Sequence, residues 1–229
     1  MQRHLAAMSM AVMMTLTPVT QADTLDISGM GFGSFAVKVT SLKEARFKAT
    51  LRQQYDFSCG SAALATLLSH HYGQLMSEQV IFEEMFASGN KEKIQKEGFS
   101  LLDMKNFLKK QGYEADGFEL PLNTLQASGL PAIVLVSDKG YQHFVVIKGI
   151  QEGRILLGDP SGGARAMSIA AFEAIWSNKV LFVIHNRRSM ARFNQVADWQ
   201  TNPKAPMRNG FNLDGLGFMA LTKFGPGDF

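Results

Sequence analysis

Cys59 is the only cysteine in the chain, and it lies in the run Gln53-Gln54-Tyr55-Asp56-Phe57-Ser58-Cys59-Gly60, just ahead of a small-residue helix expected over Ser61 to Tyr72. A lone thiol in one chain cannot close an internal disulfide, so its reactivity is the leading reason for its presence. At a helix N-terminus, unpaired backbone N–H groups and the positive end of the dipole favour thiolate over thiol. The placement therefore predicts a thiol more acidic than a free cysteine. The competing reading is a small buried hydrophobe, the common fate of free cysteine. A nucleophile also needs a base, and the base an orienting group.

Five histidines compete for the role of base. His4 leaves with a cleaved N-terminal segment. His70 is eleven residues past Cys59, roughly 16 Å along a helix axis at about 1.5 Å per residue, beyond hydrogen-bond reach. His71 shares the apolar stripe of Leu64, Leu67 and Leu68, and the adjacent pair lacks the neighbours of a zinc site. His185, beside Asn186-Arg187-Arg188, is expected to face solvent. His143 remains, at the head of the apolar run Phe144-Val145-Val146-Ile147. Sixteen residues on comes Gly158-Asp159-Pro160, and a hairpin turning at Glu152-Gly153 would set His143 and Asp159 opposite one another. Each residue also has a plain structural reading, as an edge histidine and as an Asp-Pro turn.

The elements that must position these groups change period along the chain. Phe35, Val37 and Val39 alternate, as do Phe47, Ala49 and Leu51, which predicts two extended pieces before the cysteine helix. Further helices are expected from about Ser77 to Ala87, and from Ser100, with Asp103 three residues on, to a stop at Gly112. Apolar runs follow at Ala132–Val136, His143–Ile150, Arg154–Leu157 and Val180–Ile184, with turns at Lys139-Gly140 and Glu152-Gly153 and a short helix over Ser168 to Trp176. Helices first and an antiparallel sheet afterwards is an α+β arrangement.

The N-terminus reads as an export signal: a basic start at Arg3, a short apolar run from Leu5 to Leu16, and a small residue at Ala22. Such a run is too short to span a bilayer, which needs roughly 20 residues. The expected organisation is a signal peptide over 1–22, an N-terminal flanking segment over 23–50, one catalytic domain over 51–186, and a glycine- and proline-bearing flanking segment over 187–229. The mature chain would be periplasmic, with no membrane span. A formal net charge of +3, one unit of which leaves with Arg3, is too small to imply a nucleic-acid surface.

Gln53 six residues before Cys59, Cys59-Gly60 opening a helix, His143-Phe144-Val145-Val146 and Asp159-Pro160 together resemble the bacteriocin-processing cysteine peptidases, papain-like enzymes that cut after double-glycine leaders. The resemblance covers about Arg52 to His185. It implies a papain-like fold with N-terminal helices packed on a C-terminal antiparallel sheet. It also implies Cys59 as nucleophile, His143 as general base and acid, Asp159 as orienter and Gln53 as side-chain donor of the oxyanion hole, with no metal or organic cofactor. Ser58 stands where many members carry Asp, and no G-x-x-x-x-G-K phosphate loop is present. The whole chain is more similar to the stand-alone periplasmic peptidases of functional-amyloid (Fap-type) export systems. That likeness implies a protein or peptide substrate, with secreted amyloid subunits or outer-membrane export components as partners, cleaved after Gly or Ala. The alternatives are an amidase acting on peptidoglycan stem peptides and a non-catalytic peptide-binding module.

Overall fold

The computed structural model describes residues 24–26, 36–38, 41–138 and 140–200. The signal peptide expected over 1–22 lies outside the described residues, as does 201–229 of the C-terminal flanking segment. The chain divides into two compact units, Met1–Ser41 and Leu42–Phe229. In the first, strands β1 (Thr24–Asp26) and β2 (Ala36–Lys38) pair antiparallel, Leu25 opposite Val37.

The second unit begins with helix α1 (Leu42–Arg46). The alternation Phe47-Ala49-Leu51 is not a strand: successive turn bonds from Phe47, Lys48 and Thr50 to Glu44, Ala45 and Phe47 coil it instead. No strand among the described residues offers it a ladder, so local hydrogen bonds decide. Helix α2 (Cys59–Thr66) is buried along its whole length, and it continues as one π-helical stretch, Leu67–His71. Its small residues allow that depth. A Cβ on Gly60 would meet Phe99 Cβ at 3.0 Å and Met104 Cε at 3.2 Å.

Helix α3 (Glu78–Ser88) starts at its Ser77 cap, α4 (Lys91–Glu97) at Asn90, and α5 (Leu101–Lys110) carries the capping box expected of Ser100 and Asp103. Strand β3 (Ala115–Phe118) and helix α6 (Leu122–Ser128) lead into the long hairpin of β4 (Ala132–Asp138) and β5 (Tyr141–Gln151). Strands β6 (Arg154–Asp159) and β7 (Gly163–Ser168), helix α7 (Ile169–Ile175) and strand β8 (Leu181–Ile184) complete the sheet, and helix α8 (Val196–Gln200) follows. The sheet order is β3-β8-β4-β5-β6-β7, antiparallel throughout. No helix among the described residues is long and apolar enough to cross a membrane.

Strand β5 divides the core. Phe144 and Val146 join the helical layer of Cys59, Leu64 and Met104, while Val145 and Ile147 pack with Val134, Leu157 and Phe172. The β5–β6 hairpin turns at Glu152-Gly153, both at positive φ, as type I′ chemistry requires. Its ladder is not regular. Ile150 pairs with Ile155 and Gly149 with Leu156, yet Ile147 pairs with Leu157 and Val146 with Gly158, so Lys148 is the extra residue of a β-bulge.

Candidate active site

The bulge decides where Asp159 points. Continued one step past Val146 and Gly158, the register sets Asp159 level with Val145, on the face that His143 shares; an unbroken ladder would set it level with Val146, on the other face. The two residues are therefore diagonal neighbours and not directly opposite, as the hairpin alone suggested. Their side chains still meet: His143 Nε2 is 3.0 Å from Asp159 Oδ2, with both side chains buried.

Burial opposes the Asp159 charge, but hydrogen bonds from His143 and Ser161 outweigh it and hold the carboxyl well below the usual carboxylate range. Ser161 contributes twice, by its backbone N–H at 2.9 Å and its hydroxyl at 2.6 Å, both to Oδ1. Arg165 Nη2 adds a cation 3.3 Å from Oδ2. An ionised carboxylate only accepts, so His143 Nε2 is the donor of this pair, and in the neutral ring that tautomer leaves Nδ1 as the acceptor. Nδ1 is buried and has no hydrogen-bond partner among the described residues.

The thiol arrives from the helical layer. Beyond the last β5–β6 pair, the backbone N–H of Phe144, the residue after His143, donates to Cys59. The N–H groups of Gly60 and Cys59 point the same way. Ser58 makes no side-chain cap; its hydroxyl closes the Tyr55 turn instead, leaving the first amides of α2 free of a capping side chain. The expected acidic thiol is nevertheless not found. Desolvation is the largest influence and pushes the Cys59 thiol up, three N–H donors oppose it, and the Asp159 charge adds to the rise. The helix terminus favours thiolate, but at this depth burial outweighs it.

This makes a pH test. Iodoacetamide labelling of Cys59 should accelerate only at a pH above that of a small-molecule thiol, and Asp159→Asn, which removes a charge that disfavours thiolate, should move the curve to lower pH. A plateau of fast labelling in acid would mean instead that a thiolate–imidazolium pair exists without substrate.

Gln53 is half-buried on the approach to α2, and Gln54 is exposed. The Gln53 Nε2 donates to the carbonyls of Tyr55 at 3.1 Å and Asp56 at 3.5 Å, and Oε1 is buried without a partner among the described residues. Its backbone N–H donates to Pro160 O at 3.1 Å. Tyr141 ties this arm to the centre: its ring stacks on His143 at 5.3 Å, its hydroxyl donates to Asp56 O at 3.0 Å, and that hydroxyl feels both the Gln53 amide and Cys59. Asp56 is exposed and meets the cluster through its carbonyl.

The other histidines sit elsewhere. His71 is in the core with Nδ1 on Arg192 O, and burial pushes its pKa down to about 4. His185 lies against Asp116 at 2.9 Å. Tyr141, Ser161 and Arg165 were not singled out from the sequence. Tyr141 could have been, because it is two residues before His143 on one strand and so shares its face. Nothing comparable marked Arg165, whose approach depends on β7, a strand of Gly, Ala and Arg.

The model of the family described as Peptidase C39 matches residues 48–188. The chain is 37% identical over 178 residues to a probable functional amyloid protease FapD of Pseudomonas aeruginosa, spanning 77% of this chain and 78% of that protein. It is 34% identical over 177 residues to a probable functional amyloid protease FapD of Pseudomonas fluorescens, with the same shares of 77% and 78%. Among solved structures, the peptidase domain of Streptococcus ComA, a bi-functional ABC transporter involved in a quorum-sensing pathway, is similar at a TM-score of 0.50 and 26% identity, covering 59% of this chain and 97% of that one. The helices packed on an antiparallel sheet are the papain-like arrangement of such peptidase domains.

Proposed function

The chain belongs to the Peptidase C39 family of cysteine peptidases, and from that premise we propose that it is an exported endopeptidase acting through Cys59, His143, Asp159 and Gln53 on a secreted protein. The observation that carries the reading is the imidazole of His143, anchored at Nε2 by an ionised Asp159 while Nδ1 stays buried and unpartnered among the described residues, next to the residue whose amide holds the thiol.

The chemistry follows from those groups. His143 Nδ1 takes the Cys59 proton as sulfur attacks the peptide carbonyl; because burial keeps the proton on sulfur, transfer accompanies attack instead of preceding it. The oxyanion is held by the Cys59 N–H and by the Gln53 amide, which turns from the Tyr55 and Asp56 carbonyls. The C–N bond breaks, imidazolium protonates the leaving amine, and a thioester remains. His143 then activates the water that hydrolyses it, while Asp159 supports the charged ring throughout.

The names of the two Pseudomonas relatives favour a substrate in functional-amyloid export, and the signal-like N-terminus favours the periplasm. The catalytic domain of this reading is 51–186, and the cut follows Gly or Ala. Incubating the purified mature chain with co-exported proteins, and separately with peptidoglycan stem peptides, tests it by mass-spectrometric mapping of new termini. New termini after glycine or alanine in the proteins are expected. Turnover of stem peptides alone would make the enzyme an amidase, and turnover of neither would make it a peptide-binding module.

A further inference from the structure

The bulge that orients Asp159 is itself held, and what holds it comes from outside the family match at 48–188. Past Ile147, the last residue of β5 paired with β4, the free edge of β5 is taken up by Asn194. Its backbone N–H donates to Lys148 O at 3.0 Å and its side-chain amide donates to Ile150 O at 3.0 Å. Asn194 has φ 55°, a left-handed conformation that asparagine tolerates well. The fit is close: a Cβ on Gly149 would stand 2.3 Å from Asn194 Oδ1 and 3.1 Å from Trp199 Nε1.

Lys148 is completely buried, an unusual state for lysine. Its stem crosses Gly158, where an added Cβ would lie 3.1 Å from Lys148 Cδ, and its Nζ donates to Ala49 O at 2.6 Å and pairs with Asp198 Oδ1 at 3.0 Å. Desolvation pushes the ammonium down and Asp198 opposes the shift. Gly158 immediately precedes Asp159, so the lysine stem is laid across the strand whose register sets the carboxylate.

We propose that residues 194–199 act as a positioning clamp: by fixing the bulge at Lys148 they keep Asp159 on the face of His143. This rests on the Cys59, His143 and Asp159 reading above. A chain of this length has two ways to pair β5 with β6, and the regular one turns Asp159 away from the imidazole. The clamp selects the irregular one. Lys148, Asn194 and Asp198 are positioning residues, since none touches the reacting atoms.

The test uses the full mature chain and two readings, the kcat and KM for peptide cleavage and the downfield imidazole N–H proton of His143 by NMR. Asp198→Asn is expected to lower kcat about tenfold with KM unchanged, as loss of geometry does, and to weaken that proton. Asn194→Ala keeps the ion pair, loosens the same bulge and should act in the same direction, which covers the case of an Asp198 variant that fails to fold. Deleting Lys148 leaves Ile147 with Leu157 and Gly149 with Leu156 in an unbroken ladder, so in that background Asp198→Asn should no longer change kcat. Wild-type kcat and an unaltered imidazole proton in folded Asp198→Asn or Asn194→Ala would overturn the clamp, as would a further loss of kcat from Asp198→Asn in the Lys148-deleted chain. An imidazole proton that is the same in wild type and in Asp159→Asn would instead overturn the triad reading beneath it.

Discussion

Asp159→Asn is expected to lower kcat/KM by about 10⁴. An asparagine oxygen can still accept from Ser161 and Gly162, but its NH₂ would then face His143 Nε2 and Arg165, donor against donor. To make a hydrogen bond the imidazole must then present its proton at Nδ1, the atom that the proposed mechanism needs as base. Stability changes in a defined sense. A carboxyl depressed by folding contributes stability that is present above its unfolded value of about 3.9 and lost as pH falls through its lower folded value. The variant should therefore melt somewhat below wild type at neutral pH and approach it in strong acid. Asp56→Asn should be mild, since that side chain is exposed. Wild-type turnover in Asp159→Asn would sink the assignment, and a severe Asp56→Asn defect would transfer it.

Gln53→Ala should lower kcat by roughly 10² to 10³, the usual effect of losing one oxyanion donor, with KM and Cys59 labelling little changed. The competing role is structural, because Nε2 already closes the turn at Tyr55 and Asp56. The two separate cleanly. A turn former would raise KM, alter labelling or lower Tm before it touched kcat, whereas a donor needed only in the transition state acts on kcat. Gln54→Ala is the register control, and an effect there as large as at Gln53 would mean that the wrong amide has been assigned.

Much of the scaffold was legible from local signals. Ser77, the Ser100–Asp103 pair and Glu152-Gly153 announce boundaries through hydrogen bonds made within a few residues, and those boundaries stand where expected. What depends on distant partners was not legible. Strand β3 carries Gly117, tolerated because β8 pairs with it, and β7 has no β-branched residue at all. Near the site, Cys59, His143 and Asp159 came from residue type and spacing, and Gln53 from the family resemblance. The bulge at Lys148, the Arg165 cation and the raised thiol did not. Each is a property of packing: an extra residue accommodated by a neighbour, a charge brought by an edge strand, and water excluded by a whole layer of helices.

The backbone bond from Gln53 N–H to Pro160 O has a consequence for how the machinery varies. It fastens the arm that carries one amide to the turn that carries the carboxylate, so in the proposed mechanism the electrophile's cradle and the base's anchor are two ends of a single buckle. Neither end can be adjusted alone. Substitutions around Pro160 and Ser161 would be felt on the arm before the nucleophile, and changes in that arm would be felt at the imidazole, so mutational effects across the buckle are inherently non-additive. The proposed active centre, assembled from distant stretches of chain, would thereby behave, mechanically, as one part.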